Sequence, residues 1–118
     1  MMVMDAGKEP TVCVDFDGVI HNYAGWNGPE PTGEPIPGAK EAIRSLRGRG
    51  LRVEIFSTRP RENIQTWLTR YGIEVDDVRD GKPYYIAFFD DRAHNVPVNR
   101  SYGLVESIEK WLRGGSGW

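Results

Sequence analysis

The stretch that decides the fold reads TVCVDFDGV and runs from Thr11 to Val19. Its first part, residues 11–16, is rich in β-forming residues and nearly continuously apolar, which is typical of a strand buried on both faces. The charged residues, Asp15 and Asp17, come only at its carboxyl end. In open parallel sheets, ligands bind beyond the carboxyl ends of the strands. We therefore predict a buried strand that delivers two carboxylates to a binding site.

The rest of the chain alternates between helix-like and strand-like segments. Apolar residues at helical spacing predict two helices, on Ala39, Ala42, Ile43 and Leu46 and on Ile64, Trp67, Leu68 and Tyr71, and a last helix carries Val105, Ile108, Trp111 and Leu112. Further strands are expected over 51–56, where Arg52 and Glu54 alternate with apolar residues, over 73–78 and over 84–89. This order predicts an α/β fold, a Rossmann-like three-layer sandwich with a central parallel sheet.

Length and charge limit the possible classes of protein. The 118 residues suffice for one domain, 1–118, and leave no room for a second one of ordinary size. The formal net charge is -2, so the chain lacks the basic field that indiscriminate binding to nucleic acid or membrane surfaces requires. The first ten residues and the tail over 114–118 are expected to be loosely held.

The chain has none of the expected marks of a secreted or membrane protein. Cys13 is the only cysteine, so no intramolecular disulfide can form. The longest wholly apolar run, 84–89, is far shorter than the roughly 20 residues that span a bilayer. The first residues, MMVMDAGKEP, resemble no signal peptide. We expect a cytoplasmic protein without a membrane partner.

Polar residues with one chemical theme follow three of the predicted strands. They are Asp15 and Asp17 at the end of the strand over 11–16, Ser57, Thr58 and Arg59 after the strand over 51–56, and Asp90 and Asp91 after the strand over 84–89. Two unit charges roughly 4 Å apart repel by about 4 kcal/mol at an effective dielectric of about 20, so such carboxylates need a cation. Hard oxygen ligands favour Mg²⁺. Lys82, just before the strand predicted over 84–89, can add a positive charge.

This constellation suits phosphoryl transfer. A carboxylate that attacks phosphorus forms an aspartyl-phosphate and divides one difficult displacement into two easier ones. A second carboxyl group can protonate the leaving oxygen and then activate water. A metal ion and a lysine neutralise the phosphoryl charge, and a serine hydroxyl donates to a phosphoryl oxygen.

Four ordered segments, the Asp15–Val19 stretch, Ser57, Lys82 and Asp90-Asp91, resemble the motifs of the haloacid dehalogenase-like superfamily of phosphohydrolases. The resemblance covers about residues 11 to 112. Val19 stands where many members carry Thr, a variation that the superfamily tolerates. The paired Asp90-Asp91 and the acid at position 17 favour the phosphatase branch over the carbon–halogen branch.

The resemblance implies a role for each motif residue. Asp15 is implied as the nucleophile and a direct Mg²⁺ ligand, and Asp17 as the general acid/base whose main-chain carbonyl faces the metal. Ser57 would bind the phosphoryl group, and Lys82 would hold Asp15 and the transferring oxygens. Asp90 and Asp91 would complete the metal site, one directly and the other through water. The order of these two stays open.

The gaps between the motifs are too short for a cap domain. About 20 residues separate Asp17 from the helix near Pro37, and about 24 separate Ser57 from Lys82. We therefore expect a capless protein with a short flap over about 20–37. An open site suits a large substrate, such as a nucleic-acid end, a phosphoprotein or a bulky glycan. Alternatively, a neighbouring subunit covers the site. The stretch from Ser57 to Leu68 faintly resembles the phosphatase half of polynucleotide kinase/phosphatases. Nucleic acid is therefore expected to meet this protein only as a substrate.

Other readings of the same residues stay open. The chain can be a non-catalytic phosphate-binding module, or a phosphotransferase whose acceptor is not water. Ser57 and Thr58 can cap the helix that follows as well as bind phosphate. Arg59 is the best candidate for substrate contact, with a surface salt bridge as the alternative, and Arg61 lies two residues from it. Trp26 in the flap can pack against substrate or anchor the loop. His21 and His94 are interpreted as structural or peripheral, because Asp17 already supplies the acid/base function.

Overall fold

Strand β1 (Thr11–Asp15) lies at the centre of the sheet. We describe residues 10–79, 87–90 and 94–114 of a computed structural model. The further elements are α1 (Ala39–Gly48), β2 (Arg52–Phe56), α2 (Arg61–Arg70), β3 (Asp77–Arg79), β4 (Ala87–Asp90), β5 (His94–Asn95) and α3 (Gly103–Leu112). Within these residues the sheet has five strands in the order β3-β2-β1-β4-β5, and every pairing is parallel. The predicted α/β class with a central parallel sheet is confirmed.

The strand register decides which residues share a face of the sheet. Val14 lies between Ile55 and Phe89, and Ile55 lies beside Val78, so the four side chains point to one side. They belong to one core cluster with the buried positions of the first two helices, Ala39, Ala42, Ile43, Leu46, Ile64, Trp67 and Leu68. The predicted apolar faces of α1 and α2 therefore form the core.

The three described helices pack on that same face. The connections β1–α1–β2 and β2–α2–β3 cross the sheet in one direction, and because such connections are right-handed, α1 and α2 lie on one side. Helix α3 packs against α1. A helical layer on the opposite face, which a three-layer sandwich requires, is not among the described residues. No helix in the described ranges is long and apolar enough to cross a membrane.

Glu54 is a charged residue on the polar side of the alternation in β2, and its side chain is buried. Its two carboxylate oxygens each lie 2.7 Å from an arginine Nε, one of Arg52 and one of Arg79. A buried carboxylate has lost its water and depends on the flanking cations.

One sequence prediction of element position is wrong. The strand expected over 73–78 is Asp77–Arg79, because Ile73 closes α2 instead: its amide donates to the Leu68 carbonyl at 2.9 Å, just after Gly72 with φ +66°. The last helix is confirmed as α3: Ile108 is buried and Val105 and Trp111 pack against the core, whereas Leu112 is 42% exposed. Strand β5 was not predicted. Residues 84–86 of the strand expected over 84–89 lie outside the described residues.

Leu46→Ala tests the contribution of α1 to this core. Leu46 is fully buried against the sheet, so we expect the free energy of unfolding to fall by about 2–5 kcal/mol, as for other leucines truncated in a core. Urea unfolding followed by circular dichroism measures the change. Ser45→Ala is the matched control, because Ser45 is the exposed neighbour on the same helix and should change stability by less than about 0.5 kcal/mol. Equal effects of the two variants would contradict the assigned helix face.

Candidate active site

The first carboxylate, Asp15, ends β1 at the carboxyl edge of the sheet. Val14 pairs with Phe89, so Asp15 and Asp90, the next residue of each strand, end side by side. Asp15 Oδ1 accepts a hydrogen bond from the Phe16 amide at 2.8 Å. The sequence prediction that two strands deliver acidic residues to one edge is met by these backbone positions.

The second carboxylate, Asp17, lies in the turn that follows β1. The Phe16 carbonyl accepts the amides of Ile20 and His21 at 2.9 and 3.0 Å, which folds the chain back after the strand. Gly18 makes the turn possible, since its φ of +80° is strained for any residue with a side chain. The turn separates the two acids, so Asp15 continues the strand while Asp17 faces the loops above it.

His21 and Arg59 hold the Asp17 carboxylate. His21 Nδ1 lies 2.8 Å from Asp17 Oδ1, and Arg59 Nε donates to Oδ1 and Oδ2 at 3.1 and 3.0 Å. Burial raises the pKa of Asp17, but the hydrogen bonds from His21 and Arg59, helped by the positive charge of Arg59, outweigh burial and bring the pKa below its ordinary value of 3.8. Asp17 is therefore an ionised carboxylate at neutral pH.

Arg59 connects Asp17 with the flap. Its side chain is only 2% exposed, and Nη1 donates to the carbonyl oxygens of Gly28 and Pro29 at 2.9 and 3.1 Å. The guanidinium carbon lies 4.7 Å from the centre of the Trp26 ring, a cation–π distance. The described hydrogen bonds of this guanidinium use Nε and Nη1. Substrate contact by Arg59 stays a prediction, because the described contacts of its side chain are all within the protein.

Ser57 and Thr58 follow β2, on the strand next to β1. Ser57 is buried, and its Oγ accepts the Arg59 amide at 3.1 Å, which leaves the hydroxyl hydrogen able to donate elsewhere. Thr58 is exposed. Neither side chain caps α2, which begins at Arg61 after Pro60 with no side-chain cap, so the capping interpretation is wrong.

The remaining predicted site residues are described only in part or not at all. Lys82 and Asp91 lie outside the described residues, and of Asp90 and His94 only the strand positions are described. Among the described side chains, no group of three or more His, Cys, Asp or Glu gathers as a metal site. The Mg²⁺ site of the sequence analysis stays a prediction.

The structure adds His21 to the site, which sequence reasoning left at the periphery. Its Nε2 accepts the Gly33 amide at 2.9 Å, and its ring stacks on Phe16 with centroids 5.2 Å apart. Trp67 Nε1 donates to the Gly33 carbonyl at 2.9 Å. The spacing of four residues between Asp17 and His21 was the available sequence signal, but it does not reveal the distant partner Gly33.

Asn99 fixes the other end of the flap. Its side chain exchanges two hydrogen bonds with the backbone of Tyr23, at 2.7 and 2.6 Å. The backbone N–H of Asn99 donates to the Gly18 carbonyl at 2.8 Å. Asn99 adopts φ +58°, a conformation that asparagine tolerates better than most residues. The loop after β5 therefore supports both the acid-bearing turn and the flap.

These features define a class: an α/β domain with an acidic pair after its central parallel strand and a serine and an arginine after the next strand. The chain belongs to the haloacid dehalogenase-like hydrolases, whose family model matches residues 12–86. A conserved protein coded by a locus from Bacteroides thetaiotaomicron has a similar solved structure, with 25% identity, a TM-score of 0.61 and coverage of 89% of this chain and 93% of that one. No curated protein matches the chain.

Gly33→Ala tests the anchoring of the flap. A Cβ at this position would lie 2.2 Å from the Asn22 carbonyl oxygen and 3.0 Å from His21 Nε2, so the flap must shift. We expect a loss of about 1–3 kcal/mol in the free energy of unfolding, the usual cost of overpacking. The matched control is Gly48→Ala, which meets open space at the end of α1 and should leave stability unchanged or raise it. A Gly33→Ala protein as stable as the wild type in urea would show that the flap is not held this way.

Proposed function

We propose that this hydrolase is a Mg²⁺-dependent phosphomonoesterase that forms an aspartyl-phosphate on Asp15. The observation that carries the proposal is the placement of Asp15 and Asp17 after the central strand, beside Ser57 and Arg59 of the neighbouring strand end. The site offers a nucleophile, a second carboxylate and hydrogen-bond donors for the phosphoryl oxygens. Membership of the hydrolase family supports the reaction type.

The reaction proceeds in two displacements. An Asp15 oxygen attacks phosphorus, the bond from phosphorus to the leaving oxygen breaks, and that oxygen takes a proton from Asp17. Water then attacks the phosphorus of the aspartyl-phosphate while Asp17 takes one of its protons, which releases phosphate and restores Asp15. The lowered pKa of Asp17 favours the base form that the second displacement needs and makes the acid form a minority.

A divalent cation fits the oxygen donors at this edge. The Asp15 carboxylate is present, the strand position of Asp90 is adjacent, and no hydrogen bond is donated to the Asp17 main-chain carbonyl by the described part of the chain. These are hard ligands, the kind that Mg²⁺ prefers. We propose that Asp15, the Asp17 carbonyl, Asp90 and Asp91 hold the ion. When bound, it neutralises phosphoryl charge.

Asp15→Asn tests the nucleophile. We expect kcat for 4-nitrophenyl phosphate with added Mg²⁺ to fall by roughly 10³-fold or more, since an amide oxygen is a poor nucleophile. EDTA should abolish the wild-type activity. Glu109→Gln, an exposed acid of α3, is the control and should retain full activity. Turnover by Asp15→Asn, or turnover in EDTA, contradicts the mechanism; metal-dependent phosphate binding without turnover supports the non-catalytic alternative.

We further propose that the substrate is large and phosphorylated, with an oligonucleotide end as the first candidate. The segment between β1 and α1 forms a loop held by hydrogen bonds, so it offers little surface to enclose a small metabolite. Trp26 is 58% exposed and lies against Arg59, and an aromatic ring beside a cation suits a nucleotide. Cover by a second subunit is the other way to complete such a site.

Trp26→Ala tests this substrate class. We expect kcat/KM for 3′- or 5′-phosphorylated oligonucleotides to exceed that for sugar phosphates, and Trp26→Ala to lower it about tenfold, the value of one base stack. Tyr102→Ala is the control, because Tyr102 is exposed to a similar degree, 54%, outside the site. Strong selectivity of a monomer for one small metabolite contradicts the proposal. Transfer of phosphate to an added alcohol would identify a phosphotransferase.

A further inference from the structure

The buried imidazole of His21 joins Asp17 to the flap. We propose that His21 is a positioning residue, which fixes the rotation of the Asp17 carboxylate through one hydrogen bond and ties that orientation to the flap through a second. The inference rests on the proposed function, because it concerns the group that moves the proton. It assigns His21 no contact with substrate.

The two hydrogen bonds determine which ring nitrogen carries the proton. Gly33 N–H can only donate, so Nε2 of His21, at 2.9 Å, must accept and is unprotonated. The proton therefore lies on Nδ1, which donates to Asp17 Oδ1 at 2.8 Å. With this tautomer, both nitrogens are satisfied in a residue that is only 3% exposed. The reverse tautomer would set two donors against each other at Nε2.

The ring cannot easily turn away from this arrangement. One face stacks on Phe16 at an interplanar angle of 8°, and Trp67 meets it edge-on with centroids 5.5 Å apart. Trp67 also holds the carbonyl of Gly33, whose amide is the donor to His21. The flap residue is thus held at both of its polar groups. Packing from the core and hydrogen bonds from the flap fix the same imidazole.

His21 supplies a constraint on Asp17 that Arg59 does not. Arg59 offers the carboxylate a single nitrogen, Nε, almost equally distant from both oxygens, at 3.1 and 3.0 Å. A contact shared in this way holds the group in place but distinguishes poorly between its two oxygens. His21 selects Oδ1, and this directs Oδ2 for the proton transfer. Loss of that selection should lower kcat with little effect on KM.

Two isosteric variants separate the two hydrogen bonds. His21→Asn places an amide N–H near the position of Nδ1 and keeps a donor for Asp17, whereas His21→Gln places its amide near Nε2 and keeps an acceptor for Gly33. We expect His21→Gln to lower kcat about 10–100-fold, as loss of an orienting partner usually does, and His21→Asn to recover most of the loss. KM should change less than about threefold in both. A kcat for His21→Gln equal to or above that of His21→Asn overturns the proposal and leaves His21 as a flap anchor.

A tautomer measurement on the wild-type protein tests the geometry without using activity. Long-range ¹H–¹⁵N correlation of the His21 ring should show Nδ1 protonated and Nε2 unprotonated at neutral pH. The reverse tautomer overturns the proposal even if both variants fail to fold. If the wild-type protein shows the expected tautomer but no activity, the proposed phosphomonoesterase function is wrong. The contact between His21 and Asp17 then has no role in catalysis. An active wild type with the expected tautomer and the expected order of variants supports both.

Discussion

The ion pair between Arg59 and Asp17 is the contact on which the arrangement of the site depends. Arg59 is nearly fully buried, and a buried cation without a partner is costly. Breaking a fully buried pair by removing one partner costs about 3–5 kcal/mol, and the cost is smaller here because the Asp17 side chain is 24% exposed. This one pair joins the turn after β1 to the segment after β2. The sheet already sets the two strand ends side by side, and the pair fixes the position of the Asp17 carboxylate relative to the segment after β2.

The same pair makes the flap part of the site. Arg59 reaches the flap through the carbonyls of Gly28 and Pro29, and His21 reaches it through the amide of Gly33. Asn99 holds the beginning of the flap from the loop after β5. These contacts come from three separate parts of the chain, so the flap cannot move as a unit without breaking several of them. A loop held in this way covers Asp17 in part, and the Asp17 side chain is 24% exposed.

Local sequence patterns predicted the elements best where a single pattern dominated. The apolar sets of α1 and α2 lie on buried faces because no competing apolar residue interrupts their spacing. In α3, Leu104 and Val105 are both apolar, so the pattern did not determine which of them faces the core, and Leu104 does. The burial of Glu54 could not be predicted from the local pattern, because one of its cationic partners, Arg79, follows in a different strand. The parallel sheet followed from the alternation of strands and helices, but the bounds of β3 did not.

The residues of the site also differ in how far their positions depend on local sequence or on partners distant in the chain. Asp15 and Asp17 could be predicted because their positions follow from the end of one strand. The roles of His21 and Asn99 depend on partners 12 and 76 residues away, Gly33 and Tyr23, whose approach is decided by the path of the flap. Ser57 combines both kinds of information. Its place after β2 is local, but the turn that occupies its Oγ with the Arg59 amide also begins the path by which Arg59 reaches Asp17. Ser57, which the sequence analysis predicts to bind phosphate, therefore also helps to position the Arg59 guanidinium that holds the Asp17 carboxylate.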